Sequence, residues 1–455
     1  MADLGELVKA YDIRGTYPDQ LDEQVAHAAG AAFVRVVGAQ TVVVGRDMRA
    51  SSRGLAEAFA AGAAGLGADV IDIGLASTDL VYYAAGLLGL PAAVITASHN
   101  PAAYNGIKLC RAGAAPVGQD SGLADIRRLL EHGIPDHAGP AGTIRRRDLL
   151  ADYAAHLRGL VDLSGIRPLT VVIDAGNGMA GHTVPAVLGS QILPALPLRI
   201  VPLYLDLDGA FPNHDANPLD PTTLVDLQKA VRETGADLGL AFDGDADRCF
   251  VIDENGEPVP PSAIVSLIAI RELARRPGSA VVYNAITSAA VPEIIAEQGG
   301  RPIRERVGHS FMKATMARED AIFGGEHSGH YYFADFWRAD TGMLAALHVL
   351  AVLGETDQPL SALTSHYTRY AASGEINNAV ADTAATLDRV EAHFADRAQR
   401  GTDRLDGLTV VLDGAAWFNL RPSNTEPVLR LNVEAASIPA MALLRDEVLA
   451  LLREV

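Results

Sequence analysis

Basic charge, cysteine and long apolar runs are what this 455-residue chain has least of. Its 37 Lys and Arg face 56 Asp and Glu, for a formal net charge of -19. That balance argues against general nucleic-acid binding and leaves room only for a local basic pocket. The two cysteines, Cys110 and Cys249, make no disulfide framework and suit a reducing compartment. The apolar run Met343 to Leu353 is well short of the roughly 18 residues a membrane-spanning helix needs. Met1 to Gly15 has no basic start, apolar centre or small-residue cleavage site. The expectation is a soluble, cytoplasmic protein without a membrane or nucleic-acid partner.

What is present reads as a large globular chain, 49% hydrophobic, with length for three or four domains at about 100 to 200 residues each. Thr41-Val-Val-Val-Gly45, Asp69-Val-Ile-Asp-Ile73 and Ala92-Ala-Val-Ile-Thr96 are short strand-forming runs separated by alanine-rich helical stretches such as Ser52 to Leu66. Such alternation implies α/β units with a largely parallel sheet covered on both faces. A second block opens at Leu169-Thr-Val-Val-Ile-Asp174 and returns to strand at Ile200 to Leu205 and Leu238 to Phe242; a third carries Ala280 to Tyr283 and Ala321 to Phe323. The last stretch differs: a helix is expected over Glu391 to Ala398 and two strands, Leu408 to Leu412 and Val428 to Val433, around a polar loop. It suggests a smaller α+β domain.

Four polar segments carry chemistry. Val94-Ile-Thr-Ala-Ser-His-Asn-Pro101 ends an apolar strand in a turn presenting the Ser98 hydroxyl, with Asn100-Pro101 fixing an extended or turn geometry at the exit. Alone, a serine beside a histidine is more often a solvated loop. In Asp243-Gly-Asp-Ala-Asp-Arg248 three carboxylates at alternate positions can converge on one hard cation. A calcium loop needs glycine at its sixth position and flanking helices; Arg248 and two strands stand there instead, so magnesium fits better. Gly324-Gly-Glu-His-Ser-Gly-His330 offers a carboxylate, a hydroxyl and two imidazoles, suited to a polyhydroxylated ligand or equally to an ordinary turn. Arg421-Pro-Ser-Asn-Thr-Glu-Pro427 is a plausible cradle for one phosphate, Arg giving bidentate contact.

Taken in order, these four segments resemble the motifs of the α-D-phosphohexomutase family, and most closely its bacterial phosphomannomutase/phosphoglucomutase branch. The resemblance implies three related α/β domains with mixed sheets followed by a smaller α+β C-terminal domain, divided at 1–146, 147–255, 256–366 and 367–455. It implies a phosphohexomutase that moves phosphate between the 1- and 6-positions of a hexose through a phosphoserine and a hexose 1,6-bisphosphate, with Mg2+ as cofactor. Matched residue by residue, Ser98 is the phosphoserine and Asp243, Asp245 and Asp247 hold the metal together with the Ser98 phosphate. Glu326, Ser328 and His330 read the sugar, and Arg421, Ser423, Asn424 and Thr425 hold the non-reacting phosphate. Tyr11 and Arg14, in Tyr11-Asp-Ile-Arg-Gly15, match the N-terminal substrate-contact segment.

Lys108 and Arg248 flank the first two motifs and are candidates to offset the charge of a phosphorylated Ser98. His309, in Val307-Gly-His-Ser-Phe-Met-Lys313, resembles the family's third-domain substrate loop and is the candidate acid and base. The substrate is expected to be mannose phosphate, with glucose phosphate second and glucosamine phosphate as the alternative. His327 matches neither the glutamine usual in phosphoglucosamine mutases nor the methionine of many dual enzymes. Basic residues that some members carry after the third-block strand are replaced by Asn284-Ala-Ile-Thr-Ser288. Two readings of other classes stay open: a dinucleotide site at Gly176-Asn-Gly-Met-Ala-Gly181 with Asp206, and a magnesium-dependent phosphatase.

Overall fold

The computed structural model describes residues 4–9, 11–398, 401–413, 415–422 and 428–453. They form two compact units, one of Met1–Val259 with Ser328–Ser361 and one of Pro260–His327 with Ala362–Val455. No helix among the described residues is long and apolar enough to cross a membrane.

The first unit contains two mixed sheets built on one plan. In the first, the β-branched strand Thr41–Arg46 lies parallel to Asp69–Leu75 and Ala92–Ile95, and Asp69–Leu75 to Ile144–Arg146. Ala92–Ile95 then turns back antiparallel through Tyr104–Cys110, which pairs with Ile13–Thr16 at the edge. In the second, Leu169–Asp174 runs parallel to Leu198–Leu203 and Leu238–Phe242, and Leu238–Phe242 turns back antiparallel through Cys249–Ile252. The expectation of largely parallel sheets therefore holds for the centres and fails at one side. In each, the antiparallel return is the hairpin whose turn carries a polar motif.

Helices cover these sheets closely. Glu23–Val37 is capped by Asp22, whose side chain accepts from the Val25 amide, and ends at Gly38 with φ 63°, a left-handed stop that glycine adopts at no steric cost. It meets Ser52–Gly65 at two glycines. A Cβ on Gly30 would stand 2.1 Å from the Phe59 carbonyl oxygen and one on Gly62 1.9 Å from that of His27, so the axes approach only because side chains are missing there.

In the second unit, Ala280–Asn284 runs parallel to Arg301–Glu305 and Phe323–Gly325. A separate antiparallel sheet follows in the order Ala371–Ala379, Val428–Ala435, Trp417–Pro422, Leu408–Val411, Thr402–Asp403. It packs on the helices Thr383–Phe394 and Ile438–Arg453 around Phe394 and Phe418, whose rings lie 4.9 Å apart. The helix thus overlaps the expected Glu391 to Ala398 only at 391–394 and extends N-terminally of it, and the two expected strands belong to a sheet of five. Ala371–Ala379 is rich in small and polar residues, so its strand character comes from pairing with Val428–Ala435, a tertiary contact that local propensity does not record.

One junction of the first unit is polar and closed to water. Asp79, in the first turn of the helix Thr78–Leu88, accepts hydroxyls from Ser77, Tyr153 and Thr341. Burial nonetheless pushes its carboxyl up to about 6. A folded pKa above the unfolded one means the folded chain holds this proton more tightly. The resulting stabilisation is full below about pH 4 and lost as pH rises through 6. Lowering pH from 7 to 4 is expected to stabilise the wild type relative to Asp79→Asn by up to about 3 kcal/mol. Urea midpoints of the two chains across that range check this; a constant difference would contradict it.

Candidate active site

Ser98 stands in the turn between Ala92–Ile95 and Tyr104–Cys110 with φ 49°, a left-handed conformation costing a non-glycine residue roughly 1–2 kcal/mol. Local bonds hold it: the Ser98 amide donates to Thr96 Oγ1 at 3.0 Å and the Asn100 amide to the Ala97 carbonyl at 3.0 Å. The Ser98 hydroxyl donates to Asp243 Oδ2 at 2.8 Å, and His99 Nδ1 lies 3.1 Å from Ser98 Oγ. Burial, with Arg248 and Arg14, pushes His99 well below its ordinary pKa, which favours the neutral ring. Arg14 Nη1 donates to Asn100 Oδ1 at 2.6 Å, joining the N-terminal segment to this turn. Tyr11, half-buried, precedes the strand Ile13–Thr16.

The metal loop is the turn of the other hairpin. Asp243, Asp245 and Asp247 are at most 1% exposed, and one oxygen from each lies within 4.8 Å of the others. Asp245 Oδ1 and Asp247 Oδ1 are buried without a hydrogen-bond partner. Buried unpartnered carboxylate oxygens in a group of three fit a hard divalent cation. Lys108 Nζ bridges the other oxygens of Asp245 and Asp247 at 2.6 and 2.7 Å. Arg248 reaches Asp243 Oδ2 through Nε and Nη2, each at 2.9 Å. Thr78 clamps the loop with its hydroxyl on Asp245 Oδ2 at 2.6 Å and its amide on the Asp245 carbonyl at 3.0 Å.

Charge is unevenly shared among the three. Burial alone would raise Asp245, but Lys108 and Thr78 reverse the sign and hold it below the usual carboxylate range. The same burial opposes the Lys108 ammonium and is outweighed by Asp245 and Asp247, which raise its pKa. Asp243 goes the other way: burial pushes it up to about 8 against Arg248, with Asp247 and Asp245 adding to the rise. Three buried carboxylates beside two cations leave one negative charge uncompensated, which favours a further cation at the cluster.

Ser328 and His330 stand beside this loop in the same unit. Ser328 Oγ and His330 Nδ1 are 2.9 Å apart, and His330 Nε2 lies 3.8 Å from Asp247 Oδ1 and 4.0 Å from Asp340 Oδ2. Glu326 belongs to the second unit, where its buried Oε1 accepts from Asn284 Nδ2 and from the Gly308 amide, both at 3.1 Å. Asn284 is held by the Thr287 hydroxyl at 2.7 Å. His309, half-buried, opens the helix His309–Arg318 directly after Gly308. The His327 ring lies 3.3 Å from Ser262 Oγ, in a cavity lined by Tyr367, Tyr370, Trp417 and Asn432. Arg421 Nη2 donates to Glu375 Oε2 at 3.2 Å, with Asp406 Oδ2 4.0 Å from its Nε. Ser423, Asn424 and Thr425 lie outside the described residues.

Thr78 and Asn284 lie outside the motifs and reach them from distant segments: Thr78 is 167 residues from Asp245 and Asn284 42 from Glu326. The glycine-rich segment proves to be a support. The amides of Gly176, Asn177, Gly178 and Met179 already donate to Asp174 Oδ1 and to the carbonyls of Tyr204, Ala175 and Gly244. No row of free amides is left to cradle a pyrophosphate, which removes the dinucleotide reading. The Met179 bond to the Gly244 carbonyl instead braces the metal loop from behind.

Comparison with known proteins agrees with this geometry. The profiles for Phosphoglucomutase/phosphomannomutase, alpha/beta/alpha domains I, II and III, match residues 5–133, 151–256 and 260–370. The C-terminal domain profile matches 375–451. A phosphomannomutase of Salmonella typhimurium is 42% identical over 98% of each chain, and a protein described as phosphohexose mutases from Xanthomonas campestris is 40% identical over 95% of this chain and 96% of its own. The crystal structure of a phosphoglucomutase/phosphomannomutase family protein from Burkholderia thailandensis superposes with a TM-score of 0.90 at 33% identity, covering 100% of this chain and 98% of that one.

Gly244 shows how tightly the two turns are packed, since a Cβ there would stand 2.3 Å from the Ser98 carbonyl oxygen. Gly244→Ala is expected to cost about 1–3 kcal/mol of stability and to lower turnover by about 100-fold. Denaturation and steady-state assays check both, and wild-type turnover would contradict the packing described.

Proposed function

The chain belongs to the phosphoglucomutase/phosphomannomutase family, and we propose that it interconverts mannose 1-phosphate and mannose 6-phosphate, with glucose phosphates as second substrates. The observation that carries this reading is the Ser98 hydroxyl directed at Asp243, inside a cluster where Lys108 and Arg248 already offset carboxylate charge. Curated relatives named phosphomannomutase along the whole chain support the sugar assignment.

In the proposed cycle a phosphorylated Ser98 gives its phosphoryl group to the free 1- or 6-hydroxyl of a hexose phosphate. The bond from the serine oxygen to phosphorus breaks as the bond from the sugar oxygen forms. The sugar hydroxyl gives up its proton, with His309 the proposed acceptor, and the serine oxygen regains one. The hexose 1,6-bisphosphate turns and returns its other phosphate to Ser98, leaving the isomer. Lys108 and Arg248 balance the charge of about -1.5 to -2 that the phosphoserine adds. Glu326, Ser328 and His330 orient the sugar hydroxyls, Tyr11 and Arg14 meet the substrate near the Ser98 turn, and Arg421 with Ser423, Asn424 and Thr425 grips the phosphate at rest.

Magnesium is the proposed cofactor, held by Asp243, Asp245, Asp247 and an oxygen on Ser98. Bound there it would supply a hard Lewis acid for the phosphoryl oxygens. With this reading go a cytoplasmic location and a division into a phosphoserine domain at 1–146, a metal domain at 147–255, a sugar domain at 256–366 and a phosphate-binding domain at 367–455.

A coupled assay with mannose, glucose and glucosamine 1-phosphates, with and without a hexose bisphosphate, tests the reading. Mannose and glucose phosphates are expected to turn over, and Ser98→Ala to lose turnover by about 10⁴-fold or more. Activity on glucosamine 1-phosphate alone would overturn the sugar assignment. Stoichiometric release of inorganic phosphate would mark a phosphatase instead.

A further inference from the structure

Arg49 is an arginine only 2% exposed that no motif reading includes. It follows the central strand Thr41–Arg46 by three residues, and the Asp47 amide between them donates to the Ile95 carbonyl at 2.9 Å. The segment is thereby fixed to the strand that leads into the Ser98 turn. Asp47 locks the arginine itself: its Oδ1 accepts the Arg49 amide at 3.0 Å, and its Oδ2 lies 3.2 Å from Arg49 Nε. The guanidinium then extends into the turn. Nη2 donates to the carbonyls of Ser98 at 2.9 Å and Asn100 at 2.6 Å, and Nη1 to those of Pro101 at 2.8 Å and Tyr104 at 3.0 Å. The Phe211 ring centre lies 5.0 Å from its central carbon.

We propose that Arg49 is the positioning residue of the Ser98 turn, its guanidinium setting the one backbone shape in which Ser98 takes up and passes on a phosphoryl group; this rests on the mutase reading above. The geometry explains why. Ser98 is left-handed, with its amide tied to Thr96 and its carbonyl gripped by Arg49. With both flanking peptide groups fixed, the hydroxyl is directed to Asp243. Three carbonyls of the turn and that of Tyr104, which opens the returning strand, face one cation, and only a planar fork with several N–H donors meets them together; an ammonium on a flexible stem does not. Arg49 acts through the backbone and not on the reacting atoms.

Arg49→Lys keeps the charge and removes the fork. In the full-length variant the rate of phosphoryl uptake from glucose 1,6-bisphosphate, followed by intact mass, and kcat on mannose 1-phosphate are expected to fall by about 100-fold. KM and the magnesium concentration for half-maximal rate are expected to stay within about threefold, since substrate and metal contacts are untouched. A folded Arg49→Lys with kcat within about fivefold of wild type overturns the proposal, as does a loss carried by KM or by magnesium. If that variant does not fold, Asp47→Asn, which keeps the guanidinium and loosens its anchor, is expected to show the same split at about tenfold, and a wild-type rate there overturns it. A wild type that neither turns over nor takes up phosphate refutes the mutase reading instead.

Discussion

Three carboxylates closed off from water beside one serine hydroxyl are the constraint on which the first unit is organised. Isolated, each buried charge would be prohibitively costly, and each survives through partners. Lys108 bridges Asp245 and Asp247, Arg248 covers Asp243, and Ser98 donates to Asp243. One negative charge is left without a counter-charge, and Asp243 is pushed toward its protonated form. A cluster with that charge suits a divalent cation, and the charge of the proposed phosphoserine would roughly cancel that of the cation. Phosphoryl transfer with little bond-making for the protein to do depends on such preset charge.

Architecture supplies the rest. Each mixed sheet ends its parallel core in one antiparallel return, and the two turns so made, 96–103 and 243–248, are where serine and carboxylates meet. Hairpin turns are sterically forgiving only if the right residues lack side chains, which is why Gly244 stands against the Ser98 carbonyl and Gly178 against the carbonyl of Gly244. Behind the metal loop, the glycine-rich strand exit and Thr78 at the start of its helix complete a rigid frame. In the second unit, Glu326 is fixed in the same manner, by Asn284 and the Gly308 amide.

Much of this was legible from the chain. Alternating apolar strands and alanine-rich helices identify α/β units, and the acidic loop announces its chemistry because spacing places three carboxylates within one turn. The C-terminal sheet was half visible: Ala371–Ala379 has too little β-branched character to be seen without its partner strand. Asp79 and Thr78 were invisible for a different reason. A hydrogen bond spanning well over a hundred residues, like that from Thr78 to Asp245, leaves no periodicity, and a buried polar residue in a helix turn looks like any cap. The glycine-rich segment misled in the opposite direction, since its pattern signals only a tight strand-to-helix turn, and what the amides face is decided by the neighbouring loop.

Ser98 is proposed to carry phosphate from one end of a sugar to the other. Incubating the protein with radiolabelled glucose 1,6-bisphosphate, mapping the label to a peptide, and chasing with unlabelled mannose 1-phosphate tests it most directly. Label is expected on Ser98, and the chase is expected to move it onto the mannose bisphosphate. Label on another residue, or label that leaves only as inorganic phosphate, would contradict it.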